Sequence, residues 1–114
     1  MSAIHVTARA AIYEGKLDEF KTLAARCMQL VRDNEPGALE YDWFLNEAQT
    51  ECFVRESYKD SDAVLAHVAN LGATLEALGA VGDWTFEICG VPSPELVQAT
   101  AGLQLKVYTP FQSK

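Results

Sequence analysis

Glu56-Ser57-Tyr58-Lys59-Asp60-Ser61-Asp62-Ala63-Val64-Leu65-Ala66-His67 carries the chain out of a strand, through an acidic turn and into a helix. The strand is Cys52 to Tyr58, whose residues point to two sides in turn. Asp60 or Ser61 suits the helix N-cap, where a short side-chain oxygen accepts from an otherwise unpaired backbone N–H. Beyond the cap, Ala63, Val64, His67, Val68 and Leu71 fall on one face at helical spacing. His67 is the titratable group on that otherwise apolar face.

Working outward, Leu39 to Leu45 alternates as well, and Asn46 to Thr50 reads as a hairpin connection to the strand ending at Tyr58. Ile4 to Ile12 is an opening strand, with Ile4, Val6, Ala8, Ala10 and Ile12 on one side and His5, Thr7 and Arg9 on the other. Gly15 opens a helix whose first turn holds Asp18 and Glu19, favourable at the positive end of the helix dipole. Leu17, Phe20, Leu23, Cys27, Leu30 and Val31 form its apolar stripe, and Glu35-Pro36-Gly37 stops it. Past Gly72, residues Thr74 to Ala80 suggest a further short helical piece, and Trp84 to Cys89 a fourth strand.

The order β-α-β-β-α-β predicts an α+β, ferredoxin-like domain with helices on one face of an antiparallel sheet. The opposite face then carries apolar side chains on several strands. An exposed patch of that kind marks an interface, which predicts a two-fold homodimer with sheets face to face. After the core, about residues 4–91, comes an extension over 92–114. In it Ser93 is a good N-cap, Pro94 fits the first helical position and Gly102 fits just past the end. Leu103 to Tyr108 alternates as a fifth strand that needs an edge, which a partner subunit would supply.

The chain has 114 residues, one domain's worth at roughly 100–200 residues per domain. Hydrophobic residues are 49% and charged residues 22%, ordinary for a globular protein and unlike a disordered one. No apolar run reaches the roughly 18 residues that cross a bilayer. The opening from Met1 to Arg9 has no basic stretch followed by an apolar block, so a cytoplasmic protein is expected. Net charge is −7, with the nine Lys and Arg scattered, which argues against nucleic acid and anionic membrane as partners. Cys27, Cys52 and Cys89 are dispersed and odd in number, which suits reduced, buried thiols. With two histidines and no ligand spacing, no metal site is expected.

The run from Glu56 to His67 resembles the E-x-W/Y-x-(D/S)-x-x-A-x-x-x-H signature of the antibiotic biosynthesis monooxygenase-like family. The opening strand with Gly15-Lys16-Leu17-Asp18-Glu19-Phe20 agrees with it, as do Glu35-Pro36-Gly37-Ala38-Leu39-Glu40-Tyr41 and Trp84-Thr85-Phe86-Glu87. The resemblance covers about Ile4 to Val91. It implies a dimeric α+β barrel and, among other activities, cofactor-free oxidation of polycyclic phenols or quinols to quinones by molecular oxygen. Haem-degrading relatives use an Asn on the first strand with a Trp and a His. Here that strand offers His5 and Thr7, and Tyr58 stands where the motif often has Trp.

A cofactor-free oxygenase must deprotonate its phenol, because the anion reduces dioxygen far more readily than the neutral molecule. It also needs a largely dry pocket able to hold developing charge. His67 is the expected proton acceptor, as histidine titrates near neutrality without tuning. Tyr58 and Tyr41 are candidates to hydrogen-bond a substrate oxygen, and Trp43, Trp84 and Phe86 to line the cavity. Arg9 would hold an anionic oxygen if its face of the first strand turned inward. Glu56 is read as a structural partner of His67. Each has a plainer reading: His67 as a satisfied structural histidine, the aromatics as core or interface, and Arg9 as a cross-strand ion pair.

No cofactor is expected, haem held by His67 and flavin in an aromatic cleft being the alternatives. The other functional readings are a non-catalytic dimeric module for a small hydrophobic ligand, and an isomerase or decarboxylase using the same pocket. An open cavity beside His67 separates an enzyme from a dimer whose core is filled.

Overall fold

A computed structural model describes residues 3–114; the reading of Met1 and Ser2 lies outside it. The elements follow in the order β1 (Ile4–Ile12), α1 (Leu17–Asn34), β2 (Ala38–Leu45), β3 (Glu51–Tyr58), α2 (Ser61–Leu71), α3 (Ala73–Val81), β4 (Gly82–Cys89), α4 (Pro94–Ala99) and β5 (Leu105–Tyr108). The first seven are the expected ferredoxin-like unit. Gly15 belongs to the turn before α1, with φ +79°, and the helix starts two residues later. Asp60 is the cap of α2, accepting from the Ala63 N–H at 2.8 Å. At Gly72 the backbone takes φ +47° and the chain bends by 77° from α2 into α3, a turn that favours glycine.

One sheet orders the strands β2-β3-β1-β4-β5. β1 lies antiparallel between β3 and β4, and β2 pairs antiparallel with β3. The sheet is mixed rather than antiparallel throughout, because β5 pairs in parallel with β4. That corrects the expected role of the tail. Leaving β4, the chain crosses over through α4 and returns in the same direction, so β5 finds its edge on its own chain. Ser93 caps α4 as expected, accepting from the Leu96 N–H, with Pro94 in the first position. The helix closes at Thr100 instead of Gly102, because the Thr100 hydroxyl donates to the Leu96 carbonyl at 2.8 Å. Leu96 is fully buried and fastens the tail to the core, worth about 1.5–3 kcal/mol.

The register arranges the inner face in rows. Trp43, Val54, Ala8, Phe86 and Leu105 form one, and Tyr41, Glu56, Val6, Ile88 and Val107 the next. The large side chains stand on flanking strands, while the central strand contributes Ala8 and Ala10. Small residues at the centre leave space above them.

The outer face is not the apolar surface expected. The aromatic set turns toward the helices, and the outer face shows His5, Arg9, Asp42, Arg55, Thr85 and Glu87, with Phe44, Phe53 and Tyr108 among its large apolar side chains. Cys89 also projects outward and is exposed, correcting its expected burial, whereas Cys27 and Cys52 are buried as read. Among the described residues no single helix is long and apolar enough to cross a membrane.

Candidate active site

The site forms where three elements meet: the end of α1, the middle of α2 and the inner face of β3. α1 stops at Asn34 because Pro36 cannot continue it, and Glu35 caps the end with its N–H on the Val31 carbonyl. Gly37 then brings β2 under the start of α2. A Cβ built there would stand 2.8 Å from the Ala63 Cβ, so only glycine permits this approach. The result is that Glu35, from a turn, faces His67 on α2. Glu56 comes from β3, directly across from Tyr41 and Val6.

His67 is buried between the two carboxyl groups. Its Nδ1 lies 2.9 Å from Glu35 Oε1, and its Nε2 lies 3.7 Å from Glu56 Oε1. Asn70, one turn further along α2, donates to Glu35 Oε2 at 2.7 Å and to the Leu30 carbonyl at 2.9 Å, holding that carboxylate in place. On the far side the Tyr58 hydroxyl donates to Glu56 Oε1 at 2.5 Å. Two hydrogen-bonded groups therefore meet here, Tyr58 with Glu56 and His67 with Glu35 and Asn70, separated by the 3.7 Å between Glu56 Oε1 and His67 Nε2.

Desolvation governs how these groups titrate. It lowers the pKa of His67 below 6.5, against the pull of Glu35, so the imidazole is neutral near pH 7. A carboxylate accepts at Nδ1, which puts the proton there and leaves the Nε2 lone pair toward Glu56. Burial also pushes Glu56 up to about 7, eased by the Tyr58 hydrogen bond and reinforced by the charge of Glu35. The site thus pairs a neutral base with a carboxyl group that is partly protonated at neutral pH. Burial raises both tyrosine hydroxyls well above their ordinary range, so Tyr41 and Tyr58 stay protonated.

Both His67 and Glu56 line a cleft of about 300 Å³ between the sheet and the α2–α3 bend. Val6, Ala8 and Val54 form its floor, Tyr41, Trp43, Trp84 and Phe86 its aromatic sides, and Val68, Leu71, Leu75 and Leu78 its helical wall. Trp84 stacks on Phe20 and on Phe86, with ring centres 5.8 and 6.1 Å apart, and its N–H donates to the Leu78 carbonyl. The Tyr41 ring meets the His67 ring edge-on at 5.1 Å. The Trp43 N–H is the buried side-chain polar atom without a hydrogen bond among the described residues, and its ring meets that of Tyr41 edge-on at 5.9 Å.

The structure brings most of the expected residues together. His67, Glu56, Tyr41, Trp43, Trp84 and Phe86 share the cleft. Tyr58 is fully buried behind Glu56 and does not reach the cleft wall, so its hydroxyl serves Glu56 rather than a ligand. Tyr41 packs with Cys27 in the buried core. Arg9 stays on the outer face, 4.8 Å above the Phe53 ring and 3.7 Å from Glu87, so the inward turn that its role required does not occur. Glu56 neighbours His67 as expected, but the hydrogen-bonded partner is Glu35, whose sequence context marks only a helix stop. The signal for it was a histidine on an apolar face, which needs an acceptor, and Asn70 one turn away.

Residues 3–73 match the family model described as antibiotic biosynthesis monooxygenase. No curated protein sequence matches the chain. Among solved structures, MupZ from Pseudomonas fluorescens superposes with a TM-score of 0.87 at 21% identity, over 100% of this chain and 94% of its own. A putative antibiotic biosynthesis monooxygenase from Caulobacter crescentus matches at 26% identity and TM-score 0.68, over 75% of this chain and 86% of its own. A mutant of SnoaB, a cofactor-independent oxygenase from Streptomyces nogalater, matches at 17% identity and TM-score 0.68, covering 82% and 96%.

Proposed function

The chain belongs to the antibiotic biosynthesis monooxygenase family, and on that premise we propose that it is a cofactor-independent monooxygenase that oxidises a phenol or quinol to a quinone. The observation that carries this reading is the neutral His67, fixed by Glu35 and set in the wall of an open aromatic cleft.

The phenol lies among Trp43, Trp84 and Phe86 with its oxygen toward His67. Its proton passes to Nε2, and the Glu35 carboxylate stabilises the imidazolium that forms. Histidine general bases contribute about 10²–10⁴-fold in rate. The phenolate then gives electrons to dioxygen, which partitions readily into an apolar cleft. One oxygen atom enters the substrate and the other leaves as water, so a phenol plus dioxygen becomes a quinone plus water, and a quinol plus dioxygen a hydroxyquinone plus water, with no external reductant. The protonated Glu56 carboxyl donates a hydrogen bond to the reduced oxygen as charge develops there.

In this reading the protein works in the cytoplasm, with its free thiols reduced, as a homodimer. Phe44 and Phe53, framed by Arg9 and Arg55, are the part of the outer face suited to self-association. Light scattering that gives the monomer mass at micromolar concentration contradicts the dimer.

A second reading has its own support. A base and a partly protonated acid 3.7 Å apart are also what a proton-transfer enzyme needs, and such an enzyme works without oxygen. The deciding experiment is oxygen consumption by purified protein with a panel of quinols and anthrone-type phenols, beside a His67→Gln control. Uptake that needs protein, substrate and His67 is the expected result. Substrate turnover that proceeds equally under anaerobic conditions contradicts the oxygenase and favours proton transfer.

A further inference from the structure

A second cavity, about 250 Å³, adjoins the cleft beneath the tail. The two share four wall residues, Ile88, Thr100, Leu103 and Leu105, so one continues into the other past α4. The lining changes along the way. The end nearest His67 is aromatic, whereas the second cavity adds only Pro92, Val97, Ala101 and Val107. At the threshold the Thr100 hydroxyl donates to the Leu96 carbonyl and leaves no free proton for a ligand. Neither cavity is lined by a lysine or arginine, and the first carries the carboxyl group of Glu56.

We infer that the substrate is an uncharged molecule in two parts: a phenolic ring in the aromatic cleft and an aliphatic chain that runs past Thr100 into the cavity between α4 and β5. This rests on the proposed function for its phenolic head, while the aliphatic chain is read from the second cavity alone. A flat fused-ring system would leave that cavity empty, and an aromatic tail would find no ring to stack on. A carboxylate or phosphate head would meet Glu56 with no cation to balance it. The tail of this protein is then a specificity element: fastened by Leu96 and by pairing with β4, it supplies the wall against which the chain is measured.

The test is binding of para-alkylphenols, from methyl to octyl, followed by the fluorescence of Trp43 and Trp84. A straight-chain aliphatic alcohol series serves as the ring-free probe. Each methylene buried is worth about 0.8 kcal/mol, or about fourfold in affinity. The expected result is a rise of about two- to fourfold per methylene until the second cavity is full, then a plateau. Ala101→Phe fills that cavity and is expected to flatten the rise; Val97→Phe, at a half-exposed position, does the same if the first variant does not fold. Phenols that bind without dependence on chain length overturn the aliphatic subsite and leave the phenolic head standing. Alcohols that bind with chain dependence while phenols do not would leave the subsite standing and overturn the head. Absence of binding in both series overturns both.

Discussion

The two faces of the sheet are built from the same strands, and often from neighbouring residues, yet they differ in chemistry. Glu56 faces inward and Arg55 outward; Ala8 lies over the cleft and Arg9 beside Phe53 in solvent. On the outer face, charges are hydrated and their pairs loose, as with Arg9 and Glu87 at 3.7 Å. Such pairs contribute about 0–1 kcal/mol and leave ordinary chemistry behind. On the inner face, removal of water makes every polar group depend on a protein partner. There the same residue types become a neutral base and a carboxyl group that is partly protonated at neutral pH. Reactivity in this molecule is decided by burial and partners, not by which ionisable residues the sequence contains.

The sharpest way to break that contrast is to remove the base. His67→Gln keeps a donor for Glu35 but has no proton acceptor of comparable strength. Turnover of any substrate found is expected to fall by about 10²–10⁴-fold, with the fold intact by circular dichroism. Next comes Glu35→Gln, which keeps the shape but withdraws the charge that stabilises the imidazolium. A loss of about ten- to a hundredfold in kcat is expected, with KM nearly unchanged, by analogy with groups that orient a working histidine from behind.

Stability gives a third handle. Glu56 titrates at about 7 in the folded chain against an ordinary 4.5, so the native state holds an extra proton between those values. Stability from this group is present below about 4.5 and lost as pH rises to 7. His67, lowered from 6.5, acts in the opposite sense and weakens the fold as pH falls through that value. Glu56→Gln removes the first contribution alone. It is therefore expected to stabilise the protein increasingly between pH 4.5 and 7, by up to about 3 kcal/mol, and by a constant amount above that. Urea denaturation across that range measures it; a stability difference independent of pH contradicts a buried, upshifted carboxyl. The smallest effect belongs to the outer face, where Arg9→Ala is expected to change stability by less than about 0.5 kcal/mol and to leave kcat/KM as it was.

Much of this was legible in the sequence, and the misses have physical reasons. Alternation located β1 to β4, and the cap at Asp60 with the spacing beyond it put His67 on the inner face of α2. Those features are local, set by periods of two and 3.6 residues. Which side of each strand faces the helices is not local, because both sides of β2 and β3 carry aromatics. The aromatic pair left outside, Phe44 and Phe53, was indistinguishable by period from Trp43 and Tyr41. Glu35 was hidden for a related reason. A glutamate before Pro36 and Gly37 reads as solvated turn, and only the close approach at Gly37 shows that it is folded under α2 against His67. The sequence pattern of β5 does not name its partner, because its mate, β4, lies across a helix of only six residues.

The role of His67 as the base is tested most directly by its titration, followed by nuclear magnetic resonance with ¹⁵N-labelled imidazoles. The chain has two histidines, and a His5→Gln variant assigns them at once. His67 is expected to be neutral at pH 7, to carry its proton on Nδ1 and to titrate below 6.5. A His67 that is charged at pH 7, or neutral with its proton on Nε2, contradicts the base assigned here.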